Sequence, residues 1–75
     1  MNIEELLHKG CVERSMMKTP MGGDYSEAHF FDENWNYINK NAAVHMIIKE
    51  FDSKGKVINE ITMSKNTSSN SQNIR

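Results

Sequence analysis

The stretch that decides the fold reads Ala42-Ala-Val-His-Met-Ile-Ile-Lys-Glu-Phe51, then Asp52-Ser-Lys-Gly-Lys56, then Val57-Ile-Asn-Glu-Ile-Thr-Met63. Two runs rich in branched and aromatic side chains flank a short polar segment with one glycine, the sequence form of a β-hairpin. Asp52 can accept backbone N–H groups at the start of the turn, and Gly55 supplies the positive φ that such a loop needs near its end. In the second run Val57, Ile61 and Met63 share a parity with Asn59, while Ile58, Glu60, Thr62 and Ser64 share the other, which predicts one buried and one wetter face. The first run is apolar on both parities, with Val44, Met46 and Ile48 against Ala43, Ile47 and Phe51. That pattern predicts a central strand covered on both sides, in a sheet of more than two strands, because an isolated pair is marginal in water.

Upstream, Asn2 to Lys9 reads as a short helix. Asn2 is a good N-cap with Glu5 at the third helical position. Ile3, Leu6 and Leu7 make one apolar stripe, and Gly10 stops the helix. Two turns do not hold alone in water, so the stripe is expected to dock on the sheet and to supply part of the cover over residues 43–51. Cys11 to Thr19 fits neither period well and leans to an extended strand. Thr19 precedes Pro20 and is biased away from helix, and Pro20-Met-Gly-Gly23 is a turn. Asp24 to Phe31 reads as a strand of mixed parity.

The segment Phe31-Asp-Glu-Asn-Trp-Asn-Tyr-Ile-Asn39 echoes Phe51-Asp-Ser-Lys-Gly-Lys-Val-Ile-Asn59. Each copy reads as a strand end, an acidic turn opener, a polar turn and a strand restart, and together they predict successive hairpins over 24–38 and 43–63. Trp35 stands where the second copy has Gly55, so the first turn is not expected to reach the same left-handed geometry. Asn39-Lys-Asn41 is a further turn. Asn66 to Asn73 uses only Asn, Thr, Ser and Gln. Such a run buries no apolar area, and residues 65–75 are expected to form a disordered polar tail behind a single domain over 1–64.

The chain has 75 residues, 9 basic and 10 acidic, and a net charge of −1. That balance gives no basis for binding a polyanion or an anionic membrane by bulk charge. Met1-Asn-Ile-Glu-Glu5 lacks a basic start and an apolar signal core, so export is not expected. Cys11 is the only cysteine and makes no internal disulfide, which points to a reducing cytoplasm.

Four kinds of site were weighed. His8, Cys11, His29 and His45 have the right donor types for zinc, but no Cys-x-x-Cys or His-x₃₋₅-His pair is present, and isolated histidines with a buried thiol explain the same residues; no metal or cofactor is expected. Cys11 with a histidine, or Asp24, Glu27 and Asp32, are candidates for chemistry, but no nucleophile elbow, phosphate loop or paired-carboxylate motif frames them; Asp32 reads first as a turn opener, and the chain is not expected to be an enzyme. Tyr25, Phe30, Phe31, Trp35 and Tyr37 could stack bases beside Lys49, Lys54, Lys56 and Lys65, although Glu50, Asp52 and Glu60 interrupt the positive charge. Trp35 and Tyr37, flanked by Asn34 and Asn36 in a polar loop, suit protein contact, and the competing reading folds Trp35 back over the sheet. The 57–63 strand as a free edge, and the flexible pair Met16 and Met17, extend the contact surface.

The expectation is an α+β domain, a short N-terminal helix on an antiparallel meander of three to five strands. Its expected role is non-enzymatic binding of another protein, or of itself as a homodimer, as a regulator or inhibitor. A single-stranded nucleic-acid binder is the alternative.

Overall fold

The computed structural model of the chain describes residues 2–65. Helix α1 spans Ile3–His8, and four strands follow: β1 Val12–Ser15, β2 Tyr25–Phe31, β3 His45–Phe51 and β4 Val57–Ser64. They form one antiparallel sheet in the order β1-β2-β3-β4. The architecture is thus α+β, a short N-terminal helix and a four-stranded meander. Among the described residues no helix is long and apolar enough to cross a membrane. The expected polar tail lies outside the described residues except for Lys65, whose N–H donates to the Val44 carbonyl at 2.8 Å and extends the β3–β4 ladder.

The local signals act as read. The Asn2 side chain accepts from the Glu5 N–H, and Gly10 ends the helix at φ +76°. A side chain at Gly10 would also collide with the Asn39 amide, 2.5 Å from where a Cβ would stand. Asn39 donates to the Lys9 carbonyl, and the Lys40 N–H donates to the Gly10 carbonyl. These bonds tie the 38–42 connection to the helix end. Asp52 opens the second hairpin and Gly55 closes it at φ +81°.

Four expectations need correction. The first hairpin, over 24–38, shrinks to a lone bridge between Phe31 and Tyr37, because β2 pairs along its length with β1 and β3 instead. Residues 11–19 hold only the four-residue β1. The second strand has no buried face, since seven of its eight residues are exposed; a bulge at Glu50/Phe51 pairs Val57 with Phe51 and breaks the simple parity. Finally, α1 does not cover β3. Leu6, Cys11 and Val12 form the buried cluster, with Ile3 and Leu7 beside it. Six residues make a helix about 9 Å long, and the Gly10-Cys11 link holds it against β1, the near edge of the sheet.

The register sorts the side chains. One face carries the rows Val12–His29–Ile47–Thr62 and Arg14–Glu27–Lys49–Glu60, and the other carries Glu13–Ala28–Ile48–Ile61 and Phe30–Met46–Met63. The first face is polar with aromatic cover at its end. The second is apolar through its middle.

Candidate interaction surface

At opposite ends of the sheet the two echoed turns have one hydrogen-bond pattern. Asp32 Oδ1 accepts from the N–H groups of Asn34 and Asn36 at 2.8 and 2.9 Å, and Asp52 Oδ1 accepts from those of Lys54 and Lys56 at 2.9 Å. The Trp35 N–H donates to the Asp32 carbonyl as the Gly55 N–H donates to that of Asp52, each at 3.0 Å. Trp35 does adopt the left-handed conformation, at φ +64°, and it is the one described non-glycine residue that does. That outcome overturns the sequence expectation. The position costs an aromatic residue on the order of 1–3 kcal/mol. Offsetting contacts are on view: the indole lies flat on the His45 ring, centroids 4.0 Å apart and planes within 1°, and tilts against Phe31 at 5.5 Å. Trp35 therefore folds back on the sheet and still keeps 47% of its surface in solvent.

The N–H of Asn36 is the main cause holding the Asp32 carboxyl below its ordinary range; desolvation opposes it, and the Asn34 N–H adds to it. A depressed carboxyl adds stability above the ordinary carboxylate pKa of about 3.9 and loses it as pH falls through the lower folded value. The Asn34 and Asn36 amide resonances are therefore expected to shift together with an acid midpoint below that of a free carboxylate. A midpoint at or above it contradicts this account of the turn.

Beside the turn runs a chain of polar side chains. Glu27 Oε2 accepts from Arg14 Nε at 3.0 Å and Nη2 at 2.8 Å, and Glu27 Oε1 meets His29 Nε2 at 3.1 Å. His29 Nδ1 lies 3.0 Å from the Tyr37 hydroxyl. A carboxylate only accepts, so His29 Nε2 carries the proton; in the neutral ring Nδ1 then accepts from Tyr37 Oη–H. Glu27 and His29 are buried, and both histidine nitrogens are engaged within the chain. Burial, then the charge of Glu27, pushes the Tyr37 phenol above its ordinary range. A raised acid adds stability that is complete below about pH 10 and is lost as pH rises through the folded value. In a Tyr25→Phe background, tyrosinate absorbance is expected to titrate later than in a free phenol.

The remaining sequence candidates scatter. Trp35, Tyr37, Asn34 and Asn36 share the first turn, with both asparagines exposed. Met16 and Met17 follow β1 and are 70% and 75% exposed; Met17 lines a groove with Ile48 and Ile61, on the opposite face from the Phe31, His45 and Tyr37 cluster. The histidines do not converge: His29 is enclosed by Glu27 and Tyr37, while His45 bonds Ser64 and lies under Trp35. Among the described residues no three His, Cys, Asp or Glu side chains gather to hold a metal. Tyr25 stacks on Phe51 at 4.8 Å and Phe30 is buried, while Trp35 and Tyr37 are exposed.

The surface the sequence reading missed is the apolar face. Three shallow grooves, of about 210, 510 and 370 Å³, open along it. Ala28 and Ile48 floor the middle groove with Leu7 on one wall, and Phe30, Met46 and Met63 line the first. On β4, Ile58 and Ile61 are each 42% exposed and Met63 is 45% exposed. The signal for this face was the apolar parity on both sides of residues 43–51, paired with a helix too short to cover it. In comparisons with protein-family models, curated proteins and solved structures, no match to this chain was found.

Proposed function

We propose that the chain is a non-enzymatic protein-binding module. Its contact surface is the uncovered apolar face of β2–β4 with the free edge of β4, and the Trp35 turn is a second contact. The observation that carries this reading is β4 itself: an eight-residue outer strand on which Ile61 and Met63, on the apolar face, are 42% and 45% exposed, with Val57 and Ile58 at the strand's start each 42% exposed. A long apolar edge strand is a template for another chain, and a continuous exposed apolar patch marks a contact site. The strain at Trp35 points the same way. Glycine would serve this turn, as Gly55 serves its twin, yet a half-exposed indole is kept there at a conformational cost. One buried thiol, Cys11, fits a reducing cytoplasm.

The test uses purified tagged protein as bait in extract from its native cell, comparing wild type with Ile61→Lys and Trp35→Gly. Both variants are expected to fold, with Trp35→Gly within about 1 kcal/mol of wild type because relief of strain offsets the lost stacking. Captured protein is expected to fall several-fold with Ile61→Lys and to fall with Trp35→Gly. Equal capture by all three baits overturns the reading.

A further inference from the structure

We propose that the groove between Thr19 and Ile61 is a receptor site for an alkylammonium group, anchored by the carboxylate of Glu50. The source of that group rests on the protein-binding reading above: it is a lysine side chain of the partner.

The observation that carries this is a buried charge with no counter-ion. Glu50 is 5% exposed. An ionised carboxylate is costly inside a fold unless it is paired, as Glu27 is paired with Arg14 on the opposite face. Glu50 Oε1 accepts from the Thr19 hydroxyl at 3.0 Å. Thr19 Oγ itself accepts from the Gly23 N–H at 2.7 Å, so its single proton is committed to Glu50. Among the described residues no other hydrogen bond reaches this carboxylate, and no cation pairs with it. A hydroxyl is a neutral donor, and it leaves the charge uncompensated.

The surroundings suit a group charged at one end and apolar along its stem. Met17, Pro20, Ile48 and Ile61 line the groove, of about 370 Å³, together with Ser15 and Ser26. Register sets Ser26 on β2 and Asn59 on β4 directly opposite Glu50. An ammonium has three N–H donors and no acceptor. A carboxylate beside hydroxyl and amide oxygens matches that need, while Ile48 and Ile61 offer apolar surface for the methylenes.

The loop over the groove is held in place. The Gly22 N–H donates to the Thr19 carbonyl and the Thr19 N–H to the Gly23 carbonyl, each at 3.0 Å. A Cβ at Gly23 would stand 2.7 Å from Thr19 Oγ and 3.0 Å from the Phe51 carbonyl. Lys18 is the one cation in the lining. Its ammonium pairs with Asp24, and its side chain is 80% exposed. A swing of Lys18 onto Glu50 is the competing reading, in which the carboxylate serves the fold alone.

The test is a titration of the purified protein with n-butylammonium chloride, followed by amide NMR. Saturable shifts at Thr19, Ser26 and Glu50 are expected, with dissociation in the millimolar range for so small a ligand. Neutral N-butylacetamide is expected to give none. Glu50→Gln keeps an oxygen for Thr19 and is expected to weaken butylammonium at least about tenfold, because the charge-assisted bond is lost. Unsaturable shifts, equal shifts with the neutral amide, or unchanged binding by Glu50→Gln overturn the proposal. Lys18→Gln removes an exposed pair and is expected to melt within about 5 °C of wild type. A drop of more than about 10 °C means that Lys18 neutralises Glu50, and also overturns it. A blocked Val-Lys-Val tripeptide is expected to bind several-fold tighter than butylammonium; equal affinity assigns the site to a free alkylamine and overturns the partner's lysine as its source. With Glu50→Gln added to the capture experiment, loss of capture supports the lysine. Capture lost with Ile61→Lys but kept with Glu50→Gln overturns the lysine and leaves the protein-binding reading standing. Capture unaffected by Ile61→Lys, Trp35→Gly or Glu50→Gln overturns the protein-binding reading and the partner's lysine with it, while the titration still decides the ammonium site.

Discussion

Glu27→Ala is expected to lower stability by about 2–3 kcal/mol, in the range for removing a charged hydrogen-bond partner from a buried donor. Two donors lose their acceptor, and they do not weigh equally. Arg14 has a side chain 37% exposed, so water can replace Glu27 there, and Arg14→Ala alone should cost under about 1 kcal/mol. His29 is 5% exposed and has no such recourse. Its Nε2–H would be left without a partner, and the bond from Tyr37 that the ring orientation supports would loosen. Glu27→Gln retains one acceptor oxygen and should fall between wild type and alanine. Urea denaturation of the series reads this directly. A loss under about 0.5 kcal/mol for Glu27→Ala would show that the buried chain from Arg14 to Tyr37 is not coupled as its geometry indicates.

The second large effect is expected from Leu6→Ala. Leu6 is the single buried residue of α1 and packs with Cys11 and Val12. Truncating a buried leucine costs about 2–5 kcal/mol. The low end applies here, about 2–3 kcal/mol, because a helix at the sheet's rim can settle into the space. In a domain of this size each kcal/mol lowers the melting temperature by roughly 4–8 °C, so a drop of some 10–20 °C is expected. The six-residue helix has little stability apart from this contact, so its amides should exchange before the sheet opens. A melting temperature within about 2 °C of wild type would mean that α1 contributes little to the core. Both substitutions lie away from Ile61 and Met63, so each separates stability from the proposed contact.

Much of the architecture was legible because its determinants sit within a few residues of one another. Asn2 caps a helix whose third turn position is Glu5, and Asp32 and Asp52 each close a turn through amides two and four residues on. Such contacts form wherever the chain carries those residues in that spacing, so helix, turns and strand runs could be read in order. What could not be read depended on partners far along the chain. The mixed parity of Tyr25 to Phe31 became intelligible only when register set Glu27 beside Arg14 and packed Tyr37 against His29. Trp35 entered the left-handed region because His45, ten residues on, offers a ring to lie against. That β2 gives one edge to β3 and most of the other to β1, leaving residues 37–38 only its end, and that α1 stops at β1, also followed from which surfaces compete for one another in three dimensions. The linear order determined the elements and the doubly apolar character of the third strand. Tertiary packing alone decided how far those two faces are covered, and it leaves both half-buried, because a short tethered helix reaches only the nearest strand.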